Sequence, residues 1–458
     1  MTAHTCERSG DHGDHGDDRE LLKRAMLCKT ADADADTDAD TRAAISASPA
    51  APEQPESPEF FEGTEKLLEI EFADSPSCDD RGLRAVTADE WQVVLRLVNC
   101  TICRTSAPSS VYNAYVLSES SMFVARRKIV IKTCGTTRLL PALPEFMRIA
   151  RERCGLSELQ DLFFSRKSFL RPEEQPEPHR GFDEEVDYLR SLFGAQSGVV
   201  ISRDDWHVFC LNPISKRASG HAEVDQTLEV LMTNLDPVAM QQFYRTPAFV
   251  NDATTDLTTG VAGIIPGTTI CSLLFDPCGY SANGIFDGDC AGVEDDETTS
   301  RRRGRLRRPP HYFTIHVTPQ PECSFVSFET NAPLHLHNEI VARVLRVFRP
   351  SQFSVSVFAT RAALGAVSRC PHAGPEASNN TGDDNNCVLE VEVDLQKQQQ
   401  QQQPHFAETE SLCLPSVPCT QSAHTWLVPG FAVQDVFDCD ASLQRHIVRY
   451  AKFALPPR

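Results

Sequence analysis

Residues 115–124 read YVLSESSMFV, a Ser-Glu-Ser-Ser block set inside an apolar frame. Polar groups buried in such a frame need partners. The block therefore marks either a bulge or edge turn whose hydroxyls bond nearby backbone, or a set of oxygens kept for chemistry. Glu62 and Glu65 lie three apart, so they share a face on a helix and point oppositely on a strand. Asp225, Thr227 and Glu229 alternate in DQTLE and line one face of a strand. Carboxylates gathered on a buried face repel one another unless a cation sits among them. Cys134 and His316 offer a thiol and an imidazole, but as a hydrolase pair they lack a recognisable third group. Cys100 and Cys103 form a CxxC without a second pair at zinc-like spacing, and His12 and His15 sit in a polar tail. No metal site is expected.

The elements that must position these residues are mostly strands. Runs rich in β-branched and aromatic residues cover 114–124, 128–133, 199–202, 207–211, 312–318, 323–329 and 351–359. Helical patterns at 88–97, 139–153, 182–193 and 334–348 alternate with them. That order, repeated in both halves, predicts an α+β sandwich of antiparallel sheets with outer helices. Residues 1–58, with ADADADTDAD and SPAAPEQPESP, predict a disordered acidic tail ahead of one domain over 59–458. Flexible insertions are expected at 285–310, where an acidic block meets RRRGRLRR, and at 361–424, which holds six consecutive Gln and a strand pattern, VLEVEVDL.

The 458 residues carry 44 basic and 64 acidic side chains, a formal charge of −20. This disfavours nucleic acid and anionic membranes and suits cationic ligands. No apolar run approaches the roughly 18 residues of a membrane span, and the start, MTAHTCERSG, lacks the features of a signal peptide. Seventeen cysteines at irregular spacing point to a reduced cytosolic protein with buried thiols.

YVLSESSMFV followed by KTCGTT at 132–137 resembles the eukaryotic S-adenosylmethionine decarboxylase proenzyme family. FFEGTEKLLE at 60–69, SRKSF at 165–169, DQTLEVLM at 225–232, DPCGYSANG at 276–284, TIHVTP at 314–319 and FVSFETN at 325–331 are similar to that family's blocks, in the same order. The resemblance spans residues 60–358 and faintly the stretch from 430. The tail and both insertions depart from it.

The resemblance implies a four-layer αββα sandwich whose halves form a tandem repeat. It implies self-cleavage between Glu119 and Ser120 into chains 1–119 and 120–458. Ser120 Oγ attacks the Glu119 carbonyl, β-elimination of the resulting ester leaves dehydroalanine, and its hydrolysis gives ammonia and a pyruvoyl group on the larger chain. His316 is implied as the base for the Ser120 α-proton, with Ser281 assisting. The pyruvoyl cofactor forms a Schiff base with S-adenosyl-L-methionine and takes up the electrons released with CO2, giving S-adenosylmethioninamine for spermidine and spermine synthesis. Cys134 is implied as the proton donor, and Glu62 and Glu65 as catalytic carboxylates near the ribose and sulfonium. Phe61 and Phe275 would sandwich the adenine, whose edge is read by backbone near Leu117 and Glu119. Glu69, Lys132, Phe163, Ser165, Asp225, Thr227, Glu229 and Glu329 match a buried putrescine-binding cluster. One departure is Gln320, where the family pattern has a ribose-gripping Glu. A neutral amide there implies nucleoside binding weaker by roughly 1–3 kcal/mol. A homodimer of processed protomers is expected. The competing reading is a non-catalytic paralogue that activates a partner decarboxylase, but Ser120, Cys134, Ser281 and His316 are all retained.

Overall fold

Apolar alternation and β-branched runs extend much of this chain into strands, and local caps and prolines decide where helices interrupt them. The computed structural model describes residues 60–118, 120–211, 224–247, 252–288, 308–367, 428–439 and 446–456. The acidic tail, Glu119, the arginine run up to 307, the Gln tract and the VLEVEVDL segment lie outside the described residues.

Among the described residues, sixteen strands form two antiparallel sheets. The first contains β1 (Lys66–Phe72), β2 (Ile102–Thr105), β3 (Asn113–Leu117), β4 (Ser120–Val124), β5 (Lys128–Thr133), β6 (Leu159–Lys167), β7 (Val199–Arg203) and β8 (Trp206–Leu211), in spatial order 2-3-4-5-1-6-8-7. The second contains β9 (Gln226–Leu235), β10 (Thr269–Leu274), β11 (Tyr280–Phe286), β12 (His311–Thr318), β13 (Phe325–Thr330), β14 (Pro350–Thr360), β15 (Ala432–Cys439) and β16 (His446–Ala454), in order 10-11-12-13-9-14-16-15. Adding eight to each strand of the first order reproduces the second, so the halves are a tandem repeat.

Helices α1 (Ala88–Leu97), α2 (Leu143–Cys154) and α3 (Phe182–Phe193) pack on the outer face of the first sheet, and α4 (His337–Phe348) on that of the second. A capping box starts α1: the Thr87 hydroxyl accepts from the Glu90 N–H, and the Glu90 carboxylate accepts from the Thr87 N–H. Trp91, Val94 and Leu95 then recur on the buried side of α1. The result is the α+β four-layer arrangement. Between the sheets, apolar contact is confined to islands, one around Leu67, Phe123, Val130 and Tyr312 and one around Phe163, Trp206, Phe358 and Tyr450. The remaining interior is polar.

Three elements differ from the sequence pattern. The strand expected over 114–124 is a hairpin of β3 and β4. It turns at Ser118 because that residue is satisfied outside a ladder: its N–H donates to the Thr101 carbonyl at 2.8 Å and its hydroxyl accepts from the Thr101 N–H at 3.1 Å. The helices expected from 139 and 334 begin at Leu143 and His337, after 3-10 turns at Leu140–Ala142 and Leu334–Leu336. The insertion expected from 361 opens with a short helix, Arg361–Val367, and β11 continues through Ile285 to Phe286.

Candidate active site

Ser120 opens β4, opposite Leu117 on β3 and Thr133 on β5. It is buried, and its Oγ accepts a hydrogen bond from the Cys134 N–H at 3.1 Å. Cys134 leads a tight loop just past β5. The Cys134 carbonyl accepts from Thr137 Oγ1 at 2.9 Å, the Gly135 N–H donates to the Glu62 carbonyl at 2.9 Å, and the Gly135 carbonyl accepts from Lys66 Nζ at 3.2 Å. Gly135 has φ +59°, a left-handed conformation that favours glycine.

The second sheet meets this loop through register. The β11–β12 pairing sets Ser281 directly opposite His316. The His316 imidazole spans the two sheets, with Nε2 2.8 Å from Ser121 Oγ and Nδ1 hydrogen-bonded to Glu65 Oε1. Glu65 Oε2 is 3.2 Å from Lys132 Nζ. Burial alone would raise the Glu65 carboxyl, but the His316 imidazole and the Lys132 ammonium together pull it down to about 2. The acid is thus held as carboxylate. Asn283 adds a second bridge, donating from Nδ2 to the Tyr115 carbonyl at 2.9 Å.

Glu62 belongs to neither a helix nor a strand, and Glu65 precedes β1 immediately. Glu62 accepts from the backbone N–H groups of Leu170 and Arg171 at 2.7 and 3.1 Å, and of Thr64 at 3.3 Å. The two carboxylates therefore serve different partners on either side of the Cys134 loop. Phe61 and Phe275 are half-buried. Burial pushes the thiols of Cys323 and of Cys278, in the turn after Phe275, upward. Gln320 begins the 3-10 turn that carries Cys323, and its side-chain carbonyl oxygen is buried without a hydrogen-bond partner.

Deeper between the sheets lies a cluster of acids. Glu229 and Glu329 sit directly opposite each other on β9 and β13, an arrangement that repels unless a cation intervenes. Lys132 supplies it, 3.1 Å from each carboxylate, and these charges drive its ammonium well above the usual lysine range despite burial. Tyr312 OH donates to Glu329 at 2.9 Å. Burial nevertheless pushes Glu329 up to about 7, with Glu69 and Glu229 adding to the effect and Lys132 opposing it. Glu69 accepts from Thr227 Oγ1 at 3.1 Å and pairs with Lys128 at 2.6 Å, and Lys128 also reaches Asp225 at 3.1 Å. Phe163 faces Glu69 and Ser165 faces Leu67 across the β1–β6 pairing. The Ser165 hydroxyl is buried without a hydrogen-bond partner. Among the described residues no group of His, Cys, Asp and Glu is placed to hold a metal ion, and no helix is long and apolar enough to cross a membrane.

A family model described as adenosylmethionine decarboxylase matches residues 58–404. The S-adenosylmethionine decarboxylase proenzyme of Xenopus laevis is 39% identical over 309 residues, covering 66% of this chain and 84% of the relative. That of Drosophila melanogaster is 40% identical over 318 residues, covering 67% and 84%. The chain belongs to the adenosylmethionine decarboxylase family. A solved Trypanosoma brucei AdoMetDC monomer has a TM-score of 0.44 and 21% identity, covering 73% of this chain and 99% of its own.

Within this decarboxylase family member, the structure joins Ser120, Cys134 and Glu62 around one loop and Ser281, His316 and Glu65 around one imidazole. Glu119 lies outside the described residues. Ser121, Lys66, Asn283 and Lys128 were not singled out from sequence. Ser121 and Asn283 had a local signal, since each sits in a block already marked as reactive. Lys128 had none, because its partner Asp225 is 97 residues away. Lys132→Met is expected to destabilise the fold by about 3–5 kcal/mol, because it leaves buried carboxylates unpaired. Urea unfolding of Ser120→Ala chains with and without the substitution measures this, and equal midpoints would contradict it.

Proposed function

We propose that this protein is an active, self-processing decarboxylase that converts S-adenosyl-L-methionine to S-adenosylmethioninamine and CO2. The observation that carries the reading is the hydrogen bond from the Cys134 N–H to Ser120 Oγ, which sets the cleavage serine against the residue matched to the proton donor. A carbonyl group fits the Ser120 position, because the Cys134 N–H that donates to the hydroxyl oxygen suits a carbonyl oxygen equally.

In processing, Ser120 Oγ adds to the Glu119 carbonyl and the peptide nitrogen departs. His316 then takes the Ser120 α-proton as the Cβ–Oγ bond of the ester breaks and the Glu119 carboxylate departs, and water hydrolyses the resulting dehydroalanine with release of ammonia. The Ser121–His316–Glu65 chain supports this role: Glu65, held as carboxylate, orients the imidazole and stabilises its charged form. A pyruvoyl group at Ser120, once formed, supplies the carbonyl that condenses with the substrate amine and the electron sink for decarboxylation. Cys134 returns a proton to carbon. Phe61 and Phe275 bound the nucleoside end, where the unpartnered Gln320 oxygen is an acceptor for one ribose hydroxyl. The nine cysteines among the described residues, none of them in a disulfide, agree with work in a reducing compartment such as the cytosol.

Release of CO2 from carboxyl-labelled S-adenosylmethionine tests the reading. The natural chain is expected to release it, Ser120→Ala to release none, and Cys134→Ala to lose about 10²-fold or more of the turnover. A chain that releases no CO2 alone yet raises the turnover of a second family member would be a regulatory paralogue instead.

The acidic cluster is proposed to take putrescine. With Glu329 shifted up to about 7, the site holds a proton below that pH, and a diammonium ligand must displace it. Affinity therefore rises with pH, by about tenfold from pH 6 to pH 8 for one released proton. Titration calorimetry should show this slope, flattened in Glu329→Gln. A pH-independent affinity in the natural chain would contradict the assignment.

A further inference from the structure

Lys66, the first residue of β1, is fully buried and has no part in the chemistry above. Four backbone polar groups define the Cys134–Gly135 step. Three of them bond Ser120, Thr137 and Glu62, and the fourth, the Gly135 carbonyl, is held by the Lys66 ammonium. Of these four anchors, Lys66 is the only cation.

A polar network behind the loop fixes that ammonium in turn. Lys66 Nζ also donates to Gln175 Oε1 at 3.3 Å and lies 5.0 Å from the centre of the Phe169 ring, which Arg166 approaches at 4.4 Å. Arg166 pairs with the buried Glu185 at 2.6 Å, and Glu185 also accepts from His179 Nδ1 at 2.7 Å. His179 Nε2 accepts from the Leu140 N–H at 3.4 Å, which assigns the ring proton to Nδ1. The loop is thereby gripped at both ends, at Gly135 by Lys66 and at Leu140 by His179. The charged groups facing Lys66 are Glu185, Cys134, Arg166 and Glu62, with Arg138 near His179.

We propose that Lys66 is a positioning residue for the protonation step: its anchored ammonium holds the Cys134 loop against Ser120 and keeps a positive charge on the carbonyl of Gly135, the residue next to Cys134. A cation there stabilises the thiolate that remains once the thiol has given up its proton. The charge is itself sensitive to pH. Burial lowers the Lys66 ammonium to about 8, with Arg166 lowering it further and Glu185, Cys134 and Glu62 opposing. The anchor therefore discharges as pH rises through about 8.

The inference rests on the decarboxylase reading for the role of Cys134, so its first test avoids turnover. In an uncleaved Ser120→Ala background, Cys134 alkylation by iodoacetamide is followed against pH by peptide mass spectrometry. In Lys66→Met the midpoint of labelling is expected to rise by about one pH unit or more, and in Lys66→Arg to stay near the natural value. Midpoints that coincide in all three chains would overturn the proposal. In the processed enzyme, Lys66→Met is expected to lower kcat about tenfold or more with KM little changed, and Lys66→Arg to restore it. If Lys66→Met does not accumulate as folded protein, Lys66→Gln takes its place in the labelling test, and a midpoint that coincides with that of the natural chain overturns the proposal. A natural chain that releases no CO2 at all would remove the decarboxylase reading, while the labelling midpoints would still decide whether Lys66 acts on Cys134.

Discussion

Lys132 is buried between two sheets with Glu65, Glu229 and Glu329 around its ammonium. An unpaired charge in that position costs several kcal/mol, and Glu229 and Glu329, directly opposed on neighbouring strands, repel each other without a cation between them. The sandwich cannot close on an apolar seam here. It closes on a column of charge that must be satisfied contact by contact. The same lysine that neutralises the acids also holds Glu65, and Glu65 holds the imidazole beside Ser121. Placement of the reactive hairpin is therefore coupled to the charge state of the interior.

The tandem repeat explains how such a column arises. Two sheets of identical strand order present their inner faces to each other, each with its own helices outside, so the apolar residues that drive folding are gathered chiefly in the two helix–sheet layers. The seam between the sheets is then free to be polar. His316 and Ser281 come from the second repeat, and Ser120, Ser121, Cys134 and Glu65 from the first. Neither repeat holds the whole constellation. The β11–β12 register, by pairing Ser281 with His316, fixes one half of it as firmly as the Cys134 loop fixes the other.

Local pattern was enough wherever one periodicity ruled a segment. KIVIKT, with its consecutive β-branched Ile129, Val130 and Ile131, is strand β5 at the expected residues, while α1 and α3 span the expected 88–97 and 182–193 because their apolar residues recur at helical spacing. Pattern failed where side chains, not periodicity, decide the path. Residues 114–124 look continuous but turn at Ser118, and α2 and α4 each begin only after a 3-10 turn. The site was legible as a set of residues through the family's blocks, yet its wiring was not. Glu65 and His316 are 251 residues apart and Ser121 and His316 are 195 apart, and no local rule pairs them. Lys128 and Lys66 were hidden for the same reason. Gln320 was marked as a departure, and its unpartnered oxygen gives that departure a physical form.

The central claim is that the chain builds its own reactive carbonyl at Ser120. The intact mass of purified protein, beside a Ser120→Ala control, tests it most directly. The account predicts two chains divided between Glu119 and Ser120, the larger blocked at its new N-terminus by a pyruvoyl group, and a single chain in the control. A single uncleaved natural chain, with or without added putrescine, would contradict it.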